Sequence, residues 1–327
     1  MRRPVAAVAI TALLAGCSTG QPQDELMVTD NPVAATAAAS PEPAAAPASR
    51  TWPFTPVTSL AASGSYLAVG TETGVDLYST AALGPPAHTI ALPGPVESLS
   101  FEGTDLYAAV PSRNVLARVD PISGKTDQLP VDGAPAATSS GDGGKPIVAL
   151  QQRKAVGVLT DGKVTRQLEG GLLSADRLFT SGDRTVVLDR LRNALFRVDF
   201  ADGDIEEGLR AGDGATNGVT DRFGRVLVVD TRGNALLAFG LDPLLLRQRY
   251  PVPGSPYGIA YDDDRDLAWV TLTATNEVVG FDVAGGEPVE RYRFPTVGQP
   301  NSVAVNPADG SVVVASANGG GVQVIKP

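Results

Sequence analysis

The sequence predicts an all-β fold, a seven-bladed β-propeller of four-stranded antiparallel blades. Three observations support it: short alternating or β-branched apolar runs recur along the chain, a Gly or Asn turn commonly follows, and the unit repeats about every forty residues. Four short antiparallel strands in forty residues make one propeller blade. A helical interpretation fails because Gly, Asn and Pro interrupt the apolar runs too often.

The repeat is clearest in the second strand of each unit. These strands start at residues 67, 106, 147, 186, 226, 267 and 312, which gives spacings of 39, 41, 39, 40, 41 and 45 residues. A turn follows each strand, and short hairpins need a positive φ that Gly and Asn adopt readily. The turn residues are, in chain order, Gly74, Asn114, Lys154, Asn193, Asn234, Asn276 and Asn318.

Seven units predict seven blades, but the last unit reaches Pro327 after only three strands. The segment Thr51–Pro56 precedes the first inner strand and is the natural donor of the missing outer strand. We predict that this N-terminal strand pairs with Val322–Ile325 and closes the ring, which removes two sheet edges. Unit 5 carries an additional run, Leu241–Leu246, for which we expect a helical turn outside the blade.

The first residues have the features of an export signal. Arg2 and Arg3 form a basic start, and Val5–Leu14 is an apolar stretch too short to span a bilayer. The stretch ends in Leu-Ala-Gly-Cys17, which resembles the bacterial lipobox. The resemblance implies cleavage before Cys17 and acyl chains on that residue, which would anchor the protein to a membrane. The alternative is an ordinary secretory signal in which Cys17 falls by chance.

These features predict three parts of the chain. Residues 1–16 form a lipoprotein signal peptide, 17–50 hold the lipidated cysteine and an Ala/Pro-rich tether, and 51–327 form the propeller. The tether lacks apolar periodicity and its prolines block regular pairing, so we expect a partly extended polyproline II chain that holds the domain off the membrane. The expected location is the extracytoplasmic face of the cell membrane, and the expected state is a monomer.

Composition excludes several chemistries. Cys17 is the only cysteine, so the folded part can have no disulfide, thiolate nucleophile or Cys-ligated zinc. His88 is the only histidine, which excludes a multi-histidine metal site, and its Pro-rich surroundings indicate a solvent-facing turn. The formal charge is −10 and becomes −12 when Arg2 and Arg3 are removed (−10 − 2). Such an acidic chain is not expected to bind nucleic acid.

The repeats resemble those of bacterial seven-bladed propellers of the NHL-type and YncE-like group. Asp189 with Asn193, and Asp230 with Asn234, look like the Asp…Asn element of NHL repeats, and Asn301 opens a blade in the same style. The resemblance covers nearly all of the predicted propeller and implies the architecture more than a function. We interpret these Asp and Asn residues as turn formers.

Oxygen-bearing side chains lie where several inner strands begin. Glu97, Asp176, Asn217 and Asn301 form a set that could hold a hard cation such as calcium. Residues 217–224 also look like the Asn-Gly…Asp…Gly pattern of gluconolactonase-type propellers. That resemblance implies calcium-dependent lactone hydrolysis, with Glu97 as a ligand and Asp176 as the one identifiable acidic base. The alternative is that these groups cap inner strands and hydrate the channel.

The leading functional interpretation is a membrane-anchored binding or scaffold module without catalytic activity or cofactor. Its partner would be an envelope protein, a glycan or a small ligand at the mouth of the channel. The second interpretation is a calcium-dependent lactonase or esterase of the gluconolactonase type. The glycine-rich loops do not support a third interpretation as a phosphate-binding protein. Neither Gly212–Gly218 nor the loop before Lys145 has the spacing of a phosphate-binding loop.

Overall fold

The computed structural model describes Leu26 and residues 29–43, 50–52, 55–81 and 84–327. The predicted signal peptide 1–16, the predicted lipidation site Cys17 and residues 18–25, 27–28 and 44–49 of the predicted tether lie outside the described residues. The described part contains 28 strands and two short 3-10 turns, Pro111–Arg113 and Asp142–Gly144. No helix in this part is long and apolar enough to cross a membrane.

The first strand among the described residues, β1 (Arg50–Trp52), belongs to the last blade. Blades 1 to 4 follow in chain order, and each runs from an inner to an outer strand. Their strands are β2 (Val57–Ser63), β3 (Tyr66–Thr71), β4 (Gly74–Ser79), β5 (His88–Ala91); β6 (Ser98–Glu102), β7 (Asp105–Val110), β8 (Val115–Val119), β9 (Thr126–Pro130); β10 (Pro135–Gly141), β11 (Lys145–Leu150), β12 (Ala155–Thr160), β13 (Lys163–Gly170); β14 (Arg177–Ser181), β15 (Arg184–Asp189), β16 (Ala194–Asp199) and β17 (Asp204–Arg210).

Blades 5 to 7 complete the ring, and neighbouring strands within every blade are antiparallel. The all-β, seven-bladed fold predicted from the repeat is therefore confirmed. The remaining strands are β18 (Ala215–Thr220), β19 (Arg225–Asp230), β20 (Ala235–Leu241), β21 (Leu244–Pro251); β22 (Pro256–Asp262), β23 (Leu267–Leu272), β24 (Glu277–Asp282), β25 (Val289–Pro295); β26 (Pro300–Val305), β27 (Val312–Ser316) and β28 (Val322–Ile325).

The N-terminal strand closes the ring as predicted. Strand β1 pairs antiparallel with β28, with Arg50 opposite Val324 and Trp52 opposite Val322. Blades 1 and 7 also share an apolar layer, in which Val69 of the first blade packs with Val313 of the last. The edge of β28 is thereby paired, and β1 becomes the outer strand of blade 7.

The hairpin turns have the backbone conformation that the sequence predicted. Asn114, Asn193, Asn234 and Asn276 all have φ between 49° and 53°, in the left-handed region. Blade 7 differs, because Gly319 carries the positive φ of 87° there, one residue after Asn318. Glycine adopts this conformation without the steric cost that a Cβ brings.

The helical turn expected at Leu241–Leu246 is wrong. Leu241 ends β20 and Leu244 begins β21, so the two residues between them form a tight hairpin turn. The three leucines 244–246 enter the outer strand, where Leu245 and Leu246 are exposed. A run of apolar residues beside a proline is compatible with either structure, and strand pairing decides between them.

Blades 3 and 4 are joined along their outer edges. Strands β13 and β17 pair in parallel, with Glu169 opposite Asp204 and Gly170 opposite Ile205. Gly170 permits this approach, because a Cβ there would lie 2.4 Å from the backbone oxygen of Ile205. The two blades therefore form one eight-stranded sheet.

The core consists of apolar layers between adjacent blades. In the layer between blades 4 and 5, Val186 and Leu188 pack with Val226, Val228 and Phe239, and each of these side chains is fully buried. Trp269 is also fully buried, in the layer between blades 6 and 7. Because every blade depends on its two neighbours, the stacked layers hold the inner strands around a central channel.

One part of the predicted tether is not free of the domain. Residues 33–43 lie on the propeller, at the face where the chain enters the inner strands, called the upper face below. Ala35 is only 1% exposed there. The expectation of an unbound extended linker is therefore wrong for this segment, because hydrogen bonds from the propeller hold its main chain.

Candidate functional site

The inner strands of the seven blades surround a central cavity of about 1290 Å³. Its wall is mainly polar, with hydroxyl groups from blades 2, 3 and 4 facing one another. Ser98 donates to the carbonyl of Ala136, and the hydroxyls of Ser100 and Thr138 are hydrogen bonded to each other. A cavity of this size and polarity is suited to water and to small polar molecules.

An arginine organises the upper mouth of this cavity. Arg177 is the first residue of β14, and its Nη1 lies 3.3 Å from Glu97 Oε1 and 2.9 Å from the carbonyl oxygen of Asp176. Its Nε donates to Asn217 Oδ1 at 3.3 Å, and Asn217 Nδ2 donates to the carbonyl of Tyr257 at 3.0 Å. These contacts link blades 2, 4, 5 and 6 across the mouth.

Two of the predicted site residues, Glu97 and Asn217, therefore meet through Arg177. The Glu97 and Arg177 side chains are 31% and 18% exposed, so the pair is partly shielded while its atoms still face the cavity. Partial burial strengthens an ion pair relative to one at the open surface. The mouth thus presents a carboxylate, a guanidinium and an amide, with the two charges compensating each other.

Asp176 is not part of this cluster through its carboxylate. It is 3% exposed and accepts hydrogen bonds from Gln151 Nε2 at 2.8 Å, Ser174 Oγ at 3.0 Å and the backbone N–H of Arg190 at 2.8 Å. Its side chain points into the blade, because adjacent residues of an extended chain face opposite sides and Arg177 faces the cavity. The arrangement gives Asp176 a structural role and does not place it as a base at the mouth.

Asn301 lines the cavity, but its oxygen is already used. Asn301 Oδ1 accepts a hydrogen bond from Gln299 Nε2 at 2.9 Å. The four predicted residues are thus divided among three settings: the Arg177 cluster, the interior of blade 4, and the start of blade 7.

The mouth does not fit a calcium ion held by the predicted set. Calcium needs six or more oxygen ligands at short distance, and Arg177 places a positive charge between Glu97 and Asn217. Asp176 and Asn301 have their oxygens engaged by other donors. Among the described residues, no group of three His, Cys, Asp or Glu side chains is placed to hold a metal ion.

The Asp…Asn elements are structural, as the sequence indicated. Asp230 is fully buried and accepts the backbone N–H groups of Asp213, Gly214 and Gly233. Asn234 Oδ1 accepts the N–H of Ser255 at 2.9 Å, which ties blade 5 to the start of blade 6. Asp189 likewise accepts the N–H groups of Ser174 and Arg192 in blade 4, and Asn193 Oδ1 accepts the N–H of Ala215, which ties blade 4 to blade 5.

The lower end of the cavity carries a second carboxyl group. Glu102 ends β6, and burial raises the pKa of this carboxyl, although the hydroxyls of Ser140 and Ser100 offset part of the effect. Ser140 Oγ donates to Glu102 Oε2 at 2.6 Å. Asp221 also lies toward this end, but its carboxylate is buried and pairs with Arg225 at 2.7 Å, so it holds the turn before β19.

Sequence reasoning missed two residues that organise the upper face, namely Arg177 and Gln299. Arg177 directly follows Asp176, so the correct strand was identified while the facing residue was not. Arg190 lines the cavity and its Nη2 donates to the carbonyl of Ala35 at 2.6 Å. Nothing in the sequence around Gln299 indicates its contacts with residues 38–40, because those contacts are made mainly to the main chain.

Comparison with solved structures shows the class of fold. Hydrazine synthase from Kuenenia stuttgartiensis matches with a TM-score of 0.71 at 16% identity, over 85% of this chain and 97% of that one. Virginiamycin B lyase from Staphylococcus aureus matches with a TM-score of 0.69 at 14% identity, over 83% and 94%. U3-55K matches with a TM-score of 0.71 at 13% identity, over 84% and 96%.

The protein is thus a β-propeller, the class that its fold and these neighbours define. Identities of this size show the fold alone, since propellers of one shape serve many functions. No protein-family model matches the chain, and no curated protein matches it.

Proposed function

We propose that the protein is a lipid-anchored, extracytoplasmic propeller that acts as a binding module for a polar small molecule of the carbohydrate class. The lipobox-like sequence at Cys17 supports the anchor. The Arg177 cluster at the cavity mouth supports the binding function, and it is the observation on which the proposal rests.

The chemistry of the mouth favours an uncharged, hydroxyl-rich ligand. Glu97 and Asn217 offer acceptors and Arg177 offers donors, while the ion pair leaves little net charge to select a charged ligand. Tyr257 and Tyr261 also line the cavity. A sugar has both donors and acceptors and apolar C–H faces, so it can use the polar groups and the aromatic rings together.

An enzymatic function has less support. The cavity-lining part of the described chain contains no histidine, cysteine or lysine. The single histidine, His88, lies on the outer strand β5, where its Nε2 is 3.0 Å from the carbonyl oxygen of Ile122. One lyase neighbour is named as a histidine-to-alanine variant that is catalytically inactive. This chain has no histidine at its cavity that could act in a corresponding way.

Calorimetric titration with a panel of mono- and oligosaccharides tests the proposal. At least one sugar should bind wild type saturably, and Asn217→Ala should weaken that sugar about tenfold through the lost hydrogen bonds. Arg291→Ala is the matched control, because Arg291 pairs with Asp282 on the outer part of blade 6. Failure of every sugar to bind, or equal binding by Asn217→Ala, would overturn the assignment.

The anchor is tested separately by fractionation. Wild type should be recovered with membranes, and Cys17→Ser should be soluble because it lacks the thiol that accepts the lipid. Recovery of both proteins in the same fraction would contradict a lipid anchor at Cys17.

A further inference from the structure

Residues 33–43 cross the upper face from blade 4 to blade 7 in an extended conformation. Arg190 on blade 4 and Arg232 on blade 5 bind the first part of this segment, and Thr273, Asn276 and Gln299 on blades 6 and 7 bind the rest. We call the surface formed by these five side chains the upper groove. The segment is Ala/Pro-rich and has little apolar surface, so polar contacts must hold it there.

The upper groove binds the main chain of the segment. Gln299 Nε2 donates to the carbonyl of Ala38 at 2.9 Å, and Gln299 Oε1 accepts the N–H of Ser40 at 3.1 Å. A neighbouring β-strand would offer the same pair of contacts, so this side-chain amide takes the place of a strand. Thr273 Oγ1 accepts the N–H of Ala38 at 3.2 Å.

The first selective position is Ala35. Its carbonyl accepts from Arg190 Nη2 at 2.6 Å, and the carbonyl of Val33 accepts from Arg232 Nη2 at 2.5 Å. The Ala35 methyl group is buried so close to Gly214 that a Cβ on that glycine would lie 2.9 Å from it. A side chain larger than alanine at position 35 would therefore collide with the groove.

The second selective position is Ser40. Its Oγ donates to the carbonyl of Thr273 at 2.5 Å and accepts the N–H of Gln299 at 3.1 Å. Asn276 Nδ2 then donates to the carbonyl of Pro41 at 2.7 Å. An alanine at position 40 would lose both hydroxyl contacts, of which the bond to the Thr273 carbonyl is the shorter, while the Gln299 N–H would keep its other acceptor, Asn276 Oδ1, at 3.1 Å.

We propose that the upper groove is a peptide-binding site, specific for an extended segment with alanine and serine five residues apart, and that the chain's own residues 33–43 fill it. Main-chain hydrogen bonds provide the affinity, and the Ala35 and Ser40 positions provide the selectivity. Pro41 and Pro43 restrict the unbound segment, which lowers the entropy lost on binding. The short link to β1 raises the local concentration of the segment and keeps the groove filled.

Filling the groove changes where the tether leaves the propeller, a consequence that rests on the proposed lipid anchor. If the groove were empty, the chain would be free from Cys17 to Arg50. That is 50 − 17 = 33 residues, with a reach of roughly 110 Å. With residues 33–43 bound, only 33 − 17 = 16 residues lie between Cys17 and the groove, and they span at most roughly 55 Å. The tether then leaves from the upper face near blade 4, so the cavity mouth is held close to the membrane.

Hydrogen exchange on the full-length Cys17→Ser protein tests whether the segment is bound. The amides of Ala38 and Ser40 should exchange at least about tenfold more slowly than in a free peptide of the same sequence. Gln299→Ala should abolish this protection, and so should Ala35→Leu, which changes only the segment. Gln128→Ala, on the exposed outer strand of blade 2, is the matched control and should leave protection unchanged. Free-peptide rates in the parent protein would overturn the proposal.

A synthetic peptide of residues 33–43 tests whether the groove recognises sequence. It should bind the Ala35→Leu protein, whose own segment is displaced, and a Ser40→Ala peptide should bind about tenfold more weakly. Equal affinity of the two peptides, or no binding of either, would overturn a selective site. A failure of the lipid anchor would appear only in fractionation and would leave these results unchanged.

Discussion

Asp230→Ala provides the sharpest test of how the blades are held together. The Asp230 carboxylate is fully buried at the end of β19. It accepts backbone N–H groups from Asp213 at 3.1 Å, Gly214 at 2.8 Å and Gly233 at 2.9 Å. Gly212 and Gly233 allow this packing, since a Cβ on either would lie 2.0 or 1.9 Å from Asp230 Oδ2.

The expected loss follows from the three donors that alanine would leave unpaired. A buried N–H without a partner costs roughly 1 to 3 kcal/mol, and some relaxation and water entry offset part of this cost. We therefore expect Asp230→Ala to lower the free energy of unfolding by about 3 to 5 kcal/mol. Since domains of ordinary stability have about 5 to 15 kcal/mol in total, this one substitution should threaten the fold of blade 5.

Urea denaturation followed by circular dichroism measures this loss. Asp183→Ala is the matched control, because the Asp183 side chain is 85% exposed and its replacement should change stability by less than about 0.5 kcal/mol. The loss in the free energy of unfolding for Asp230→Asn should fall between those of Asp230→Ala and Asp183→Ala. The asparagine amide retains one acceptor oxygen but turns an NH₂ group toward other donors. A loss below about 1 kcal/mol for Asp230→Ala would refute the structural role assigned to this carboxylate.

Three further predictions concern the core, the cavity and the metal. Val228 is fully buried between blades 4 and 5, so Val228→Asp should unfold blade 5, and a melting transition like that of wild type would contradict this packing. Burial raises the pKa of Glu102 above its ordinary value of 4.5, so its contribution to stability is full below that value and is lost as pH rises through the raised pKa. The Glu102→Gln variant should therefore have a higher melting temperature than wild type at neutral pH, and this difference should vanish in acid. A difference in melting temperature that stays the same across that pH range would contradict a raised pKa for Glu102. Calcium should not raise the melting temperature, because Arg177 lies between Glu97 and Asn217; a calcium-dependent rise that Asn217→Ala abolishes would instead restore the lactonase interpretation.

The candidate site was only partly predictable, and the reason lies in strand geometry. Glu97 and Asn217 were selected because they lie where inner strands begin, and both do line the cavity mouth. Asp176 was selected on the same grounds, yet the neighbouring Arg177 faces the cavity instead. Side chains of an extended chain alternate between two faces, so an error of one residue exchanges a cavity-facing group for a buried one.

Local residue types repeated along the chain were enough to predict the propeller, its seven blades and most of the turns, and the incomplete last unit predicted the closing strand. Which polar groups meet at the cavity mouth, and where residues 33–43 lie, depends instead on contacts between distant parts of the chain. Arg177 meets Glu97 across 80 residues of chain, and Ala38 meets Gln299 across 261. Contacts this distant, made in the second case to main-chain atoms, leave no periodic pattern in the sequence, because a main-chain carbonyl is present in every residue.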